Sequence, residues 1–296
     1  LNRHENKSAG MKRFYLLPVI SIFLIVCING LQAQTAPPQP KQVYLDNTEQ
    51  FSIESKYVEE ENYLIQVGMP IGYHNTDKSY PVLYVLDGDK SFGMTKEITD
   101  WLTWSKEIRD IIVVGISYGQ GTNTWWKKRA RDYTQFKDTV YYYYPNAGGA
   151  DNFLSFVKNE LFPIINKNYR TNQDSNAIMG LSFGGLLTSY ILFSQPDLFK
   201  GYIIISPSLF WNGNSILKTE ADYFSKHKEL NKLVYMAYGS LDDNDWVIDP
   251  TNEVLQIMKT HKYEGLKFIP EVFKGETHIS VFPEALTHGL KAVFKR

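Results

Sequence analysis

The run NAIMGLSFGGLLTSYILF, residues 176–193, decides the fold. Its first five residues form a short apolar segment of the kind that makes a buried strand, and LLTSYILF continues as an apolar helix. Between them Gly180, Ser182 and Gly184 occupy the positions of G-x-S-x-G. Small residues on both sides of the serine let the chain turn sharply from strand to helix, which pushes the serine oxygen out over the edge of a sheet. The helix that starts there directs unpaired N–H groups at nearby negative charge, so the Phe183 amide is a natural oxyanion donor. Ser182 is therefore the expected nucleophile.

Segments of the same strand type recur outward from this run. They are 63–69, 81–86 (PVLYVL), 111–117 (IIVVGIS), 202–206 (YIIIS), 233–238 (LVYMAY) and 266–273 (LKFIPEVF). Continuous apolar, β-branched and aromatic runs suit strands buried on both faces. Pro270 moves the last of them towards an edge, because proline cannot donate to a central ladder. Helical patterns over 152–168, 184–193, 251–260 and 282–294 lie between and after them. Strands alternating with helices predict a mostly parallel sheet covered on both sides. The longest stretch without clear periodicity is 118–149, and its load of tyrosine and tryptophan argues against disorder.

A serine hydroxyl needs a base, normally a histidine. His74 precedes the serine in a loop, His227 and His261 sit in charged helical contexts, and His288 falls inside the last helix. His278, in KGETHISVF, follows the final strand and can hang over the sheet edge from which Ser182 emerges. An acid that orients the imidazole is expected between them in chain order. GSLDDND follows the strand LVYMAY and offers Asp242, Asp243 and Asp245. The spacing from Gly239 favours Asp242, with Asp245 next and Asp243 third. The cluster lacks a twelve-residue calcium loop, which turns the reading from metal towards the triad acid.

These stretches resemble the esterase family of α/β-hydrolases that includes esterase D, enterobactin-type siderophore esterases, feruloyl and acetyl-xylan esterases and mycolyltransferases. The resemblance is carried by YPVLYVLDGDKSF (80–92), GGADNFLSFVKNELFPIINKNYR (148–170), IMGLSFGGL (178–186), FKGYIIISPSLFWN (199–212), GSLDDND and GETHIS. It implies an α/β-hydrolase fold with a mostly parallel eight-stranded sheet and helices on both faces, spanning about residues 50–294. It also implies a second oxyanion donor, the amide of Asp89 in the DGD turn. The pattern is departed from at Leu181, where related esterases often carry histidine, and at Phe210, where they carry tryptophan.

The chemistry so predicted is ester hydrolysis through an acyl-enzyme, with no cofactor and no metal. Tyr118, Trp125, Trp126, Trp211 and Trp246 follow strands and are candidates for stacking on an aromatic acyl or catechol group. Arg129 and Arg131 could meet an anionic ligand or pair internally with Asp132. A siderophore-type ester fits these features. Feruloyl or acetyl-xylan esters, or transfer to another acceptor, would use the same residues, and a secreted binding protein with an inactive hydrolase fold is the non-enzymatic alternative.

Composition bounds the rest. The 296 residues are 43% hydrophobic, 21% charged and 15% aromatic, enough for one large core. Lys12 and Arg13 precede an apolar run from Phe14 to Ile28, followed by polar residues and LQAQ, the pattern of an export signal cleaved after Ala33. The run is short for a stable membrane span. The lone Cys27 lies inside it behind the bulky Val26, so a mature chain would have no thiol, disulfide or cysteine metal site. Removing residues 1–33, with Arg3, Lys7, Lys12 and Arg13 against Glu5, takes the formal charge from −1 to about −4. Without a basic patch, nucleic-acid binding is not expected. The Pro-rich stretch 34–50 reads as a linker and 51–296 as the catalytic domain, exported to the periplasm or beyond, in an oligomeric state that the sequence leaves open.

Overall fold

A computed structural model describes residues 42–119, 124–137, 139–140 and 144–296. The expected export signal, its expected cleavage point and Cys27 lie outside the described residues. The chain divides at Tyr44, and the second unit, Leu45–Arg296, carries the architecture.

Eight strands form one sheet in the order β1-β2-β4-β3-β5-β6-β7-β8. They are β1 (Thr48–Glu54), β2 (Asn62–Gly68), β3 (Val82–Val85), β4 (Ile112–Ser117), β5 (Ala177–Leu181), β6 (Gly201–Ile205), β7 (Leu233–Gly239) and β8 (Lys267–Phe273). The β1–β2 and β2–β4 pairs are antiparallel and the remaining pairs parallel. This is the mostly parallel α/β-hydrolase sheet, with β8 and its Pro270 at the edge. β1 begins at Thr48, inside the stretch that reads as linker.

The pleat explains why the central strands are apolar without alternation. Leu83, Val85, Ile203 and Ile205 point to a core closed by helices Gly88–Trp104 and Phe282–Phe294. Val82, Tyr84, Tyr202 and Ile204 point the other way, to a larger core that includes Phe183–Ser194 and Asp249–His261. The helical stretch predicted over 152–168 runs from Ala150 to Asn168, with one wider turn at Val157–Leu161.

The sheet order also fixes where a site can form. The chain leaves β3 for β4 on one side, and β5 then returns to the other side of β3. At such a switch point the connections diverge to opposite faces and a crevice opens beyond the carboxyl ends of the strands. Asp87 after β3 and Ser182 after β5 both stand there.

Candidate active site

Ser182 is the hinge between β5 and the helix Phe183–Ser194, at φ 62° and ψ −120°. A non-glycine residue in this region carries about 1–3 kcal/mol of backbone strain, held in place by its surroundings. The flanking glycines show what holds it. A Cβ on Gly180 would come within 2.2 Å of the Gly184 carbonyl oxygen, and one on Gly185 within 2.9 Å of Pro207. Only bare backbone lets the strand end, the helix start and the turn after β6 approach so closely.

His278 lies between β8 and the helix Phe282–Phe294, its Nδ1 3.1 and 3.2 Å from the two carboxylate oxygens of Asp242. The loop that carries it crosses the end of β7 at Gly239, where a Cβ would meet the Glu276 carbonyl at 2.2 Å. Asp242 is buried, and its Oδ1 also accepts the Asp243 amide at 2.9 Å. Asp243 is exposed and caps the turn beyond it by accepting the Trp246 amide; Asp245 is exposed as well. Of the three candidate acids the geometry brings Asp242 to the imidazole.

Burial acts to raise the Asp242 carboxyl, but the hydrogen bond and charge of His278, with the Ser206 hydroxyl and the Asp243 amide, outweigh it and hold it below its ordinary value. A depressed carboxyl contributes stability that is present above the unfolded carboxylate range, about pH 4, and is lost as pH falls through the folded value. Asp242→Asn is expected to lower kcat by ~10²–10⁴-fold, while Asp243→Asn and Asp245→Asn stay within about threefold. The difference in unfolding free energy between wild type and Asp242→Asn should shrink as titration proceeds below about pH 4. A collapse of kcat in Asp245→Asn alone would move the acid's role to that residue.

Two cavities, of about 740 and 480 Å³, meet at this point and share Ser182, His278, Trp126 and Arg129. The larger is walled by Tyr144, Phe183, Trp211 and a stacked Phe210–Trp246 pair with ring centroids 5.3 Å apart. Leu86, Met94, Trp125, Leu181, Ile279 and Phe282 help line the smaller. Trp126, Trp211 and Trp246 thus reach the larger cavity and Trp125 the smaller one. Tyr118 reaches neither: it is buried, with its hydroxyl on the Asp132 carboxylate at 3.0 Å. Its phenol completes a core polar cluster, which corrects its reading as a cleft residue. Asp89 lines neither cavity; its carboxylate accepts the Tyr118 amide at 2.7 Å.

Both arginines are internally committed. Arg131 pairs with Asp132 and with buried Glu61, which also holds Lys128. Arg129 binds Asp87, Nε to Oδ1 at 3.0 Å and Nη2 to Oδ2 at 2.8 Å. Burial works against its charge, but the Asp87 carboxylate outweighs this and holds the guanidinium above its ordinary value. Trp125 and Trp126 lie 4.7 and 5.1 Å from the guanidinium carbon. Its helix, Trp125–Tyr133, is thereby pinned over the switch point. The sequence reading missed Asp87 and Ser208, whose Oγ is 3.2 Å from Ser182 Oγ. Both stand directly after buried strands, which was the available signal.

The family model described as "Putative esterase" matches residues 55–292. The ferri-bacillibactin esterase BesA of Bacillus subtilis is 30% identical over 72% of this chain and 78% of its own length. A siderophore triacetylfusarinine C esterase of Aspergillus fumigatus is 32% identical over 65% of this chain and 66% of its own. Among solved structures, the BES protein from Bacillus cereus superposes with a TM-score of 0.79 at 29% identity, covering 88% of this chain and all of that one. The siderophore hydrolase EstB from Aspergillus nidulans gives 0.75 at 26% identity, over 86% of this chain and 98% of that one.

Proposed function

Since the chain belongs to this esterase family of α/β-hydrolases and is a serine carboxylic-ester hydrolase, we propose that it cleaves a siderophore-type ester with Ser182 as nucleophile, His278 as general base and Asp242 as orienting acid. The observation that carries the proposal is the elbow serine sharing a cavity wall with a histidine whose other face is held by a buried carboxylate.

His278 takes the Ser182 proton as the serine oxygen attacks the ester carbonyl. Negative charge then develops on the carbonyl oxygen, in front of the Phe183 amide at the free start of its helix. The family resemblance assigns a second donor to the amide of Asp89, in the first turn of Gly88–Trp104 and so without a helical acceptor; Asp89 lines neither cavity, so this role rests on the resemblance and not on the cavity geometry. The protonated His278 donates to the leaving alcohol, and a water activated by the same imidazole releases the acid.

For the substrate, the support is the aromatic wall of the larger cavity, the presence of a second cavity on the other side of Ser182, and the names of the relatives. A scissile bond flanked by space on both sides suits an ester with large groups at either end, as in a trilactone or a fusarinine. An acetyl ester would leave one cavity empty. The leader supports export. A panel of nitrophenyl acetate, ethyl ferulate, acetylated xylan and ferric enterobactin tests this: the siderophore should give the highest kcat/KM. Preference for ferulate or acetylated xylan by tenfold or more would replace the siderophore with a carbohydrate-linked ester.

A further inference from the structure

We propose that Ser208 is a further catalytic residue, whose hydroxyl donates a hydrogen bond to the Ser182 oxygen as that oxygen gives up its proton and attacks. The proposal rests on Ser182 being the nucleophile.

Ser208 ends the turn Ser206–Pro207–Ser208 that follows β6, and its side-chain oxygen stands 3.2 Å from that of Ser182. It is 5% exposed yet lines the larger cavity, so its hydroxyl is placed at the reacting atom and largely screened from bulk water. Among the described residues its hydroxyl has Ser182 Oγ as hydrogen-bond partner. The position is fixed from several sides. The Ser208 amide donates to the Ser182 carbonyl at 3.1 Å, and the Ser182 amide donates to Ile205 at 3.0 Å. Pro207 fills the space that Gly185 leaves open, and Ser206, at φ 38°, donates its amide to Ala237 at 2.7 Å. Two neighbouring strands and the elbow therefore hold the turn, and no rearrangement is needed for Ser208 to act.

At rest either hydroxyl can donate across the pair. Once Ser182 directs its proton at His278, the only proton left for the shared contact belongs to Ser208. In the step proposed, the O–H bond of Ser182 breaks and its proton passes to the histidine. The Ser182 oxygen bonds the carbonyl carbon, and the carbonyl π pair moves onto its oxygen. Ser208 keeps its proton throughout and acts only as a donor. While the proton leaves for His278 ahead of full C–O bonding, the Ser182 oxygen carries transient partial negative charge; a hydrogen bond to it in that interval is stronger than one between neutral groups, and its loss corresponds to about 10- to 100-fold in rate.

Valine and threonine have nearly the same shape and differ in the hydroxyl, so they separate donation from packing. Ser208→Val is expected to lower both kcat for nitrophenyl acetate and the second-order rate of labelling by a fluorophosphonate by about 10- to 100-fold. KM and Tm should stay near those of Ser208→Thr, and Ser208→Thr should recover most of the lost rate. Equal rates in the two variants would overturn the proposal. If the extra methyl groups lower Tm in both, Ser208→Ala decides. Wild-type labelling in that variant overturns donation, and a tenfold loss with unchanged KM upholds it. The nucleophile reading fails separately, by undiminished labelling of Ser182→Ala.

Discussion

Replacing Ser182 by alanine is expected to lower kcat by about 10⁶-fold and to abolish labelling by a fluorophosphonate, because the attacking oxygen and the covalent intermediate disappear together. Ser182→Gly should be equally inactive but should differ in stability. The serine backbone sits at φ 62°, where a Cβ is unwelcome and glycine is not. Removing it is expected to release about 1 kcal/mol, against a small entropic cost in the unfolded chain. For a domain of this size that corresponds to a rise in Tm of about 2–4 °C over Ser182→Ala. Calorimetry of the two inactive variants makes the comparison without interference from activity. A glycine variant that melts at or below the alanine variant would show that the elbow is not strained in the sense argued from its dihedral angles.

The second large effect concerns Arg129. Arg129→Met removes the guanidinium and leaves the Asp87 carboxylate buried beside the elbow without its partner. Breaking a buried pair in this way costs about 3–5 kcal/mol. In a domain of this length the loss amounts to a Tm lower by roughly 6–20 °C. Arg129→Lys keeps the charge but cannot reproduce both hydrogen bonds, and should fall between. The double variant Asp87→Asn, Arg129→Met should be more stable than the single Arg129→Met, because the uncompensated charge is gone. Activity should fall in all three, since Arg129 Nη2 also lies 3.4 Å from the Leu181 carbonyl directly before Ser182. Chemical denaturation measures the stability term, and a loss under about 1 kcal/mol in Arg129→Met would mean that water or another group satisfies Asp87.

The parts of the fold that were legible in the sequence are those whose environment is simple. Strands β2 to β8 announce themselves because most are buried on both faces and therefore read as unbroken apolar runs. β1, TEQFSIE, is an edge strand with mostly polar, partly exposed side chains, so its composition matches a linker as well as a strand. The helix Trp125–Tyr133, WWKKRARDY, was hidden for the opposite reason. Its cations suggest a solvated surface, yet they are drawn inward by Glu61, Asp87 and Asp132, of which two lie far away in the chain. Nothing local reveals such long-range pairing. His261, in a charged helical context, is likewise drawn inward: its Nδ1 is 2.7 Å from buried Glu220, and its ring stacks on Phe224.

The juxtaposition of Ser182, His278 and Asp242 was legible because chain order and strand ends place all three at one sheet edge. The choice among Asp242, Asp243 and Asp245 needed coordinates, since all three share one loop and its backbone path decides that Asp242 turns inward to the imidazole while Asp243 caps the next turn and Asp245 faces outward. Tyr118 shows the limit of composition: an aromatic after a strand has two possible sides, and here Asp132 claims the hydroxyl from below.

On the proposed function, the two cavities that meet at Ser182 give turnover an order of events. With the two halves of an acyclic ester placed in the two cavities, the alcohol leaves one of them after the first bond breaks while the acyl portion stays tethered in the other. The vacated space then becomes the antechamber of the second half-reaction, and whatever refills it first sets the product. Water gives the acid; a hydroxylated molecule shaped like the departed alcohol gives a new ester. On this reading occupancy of the emptied compartment governs the partition, and added alcohol is expected to divert acyl groups in proportion to how well it fits there.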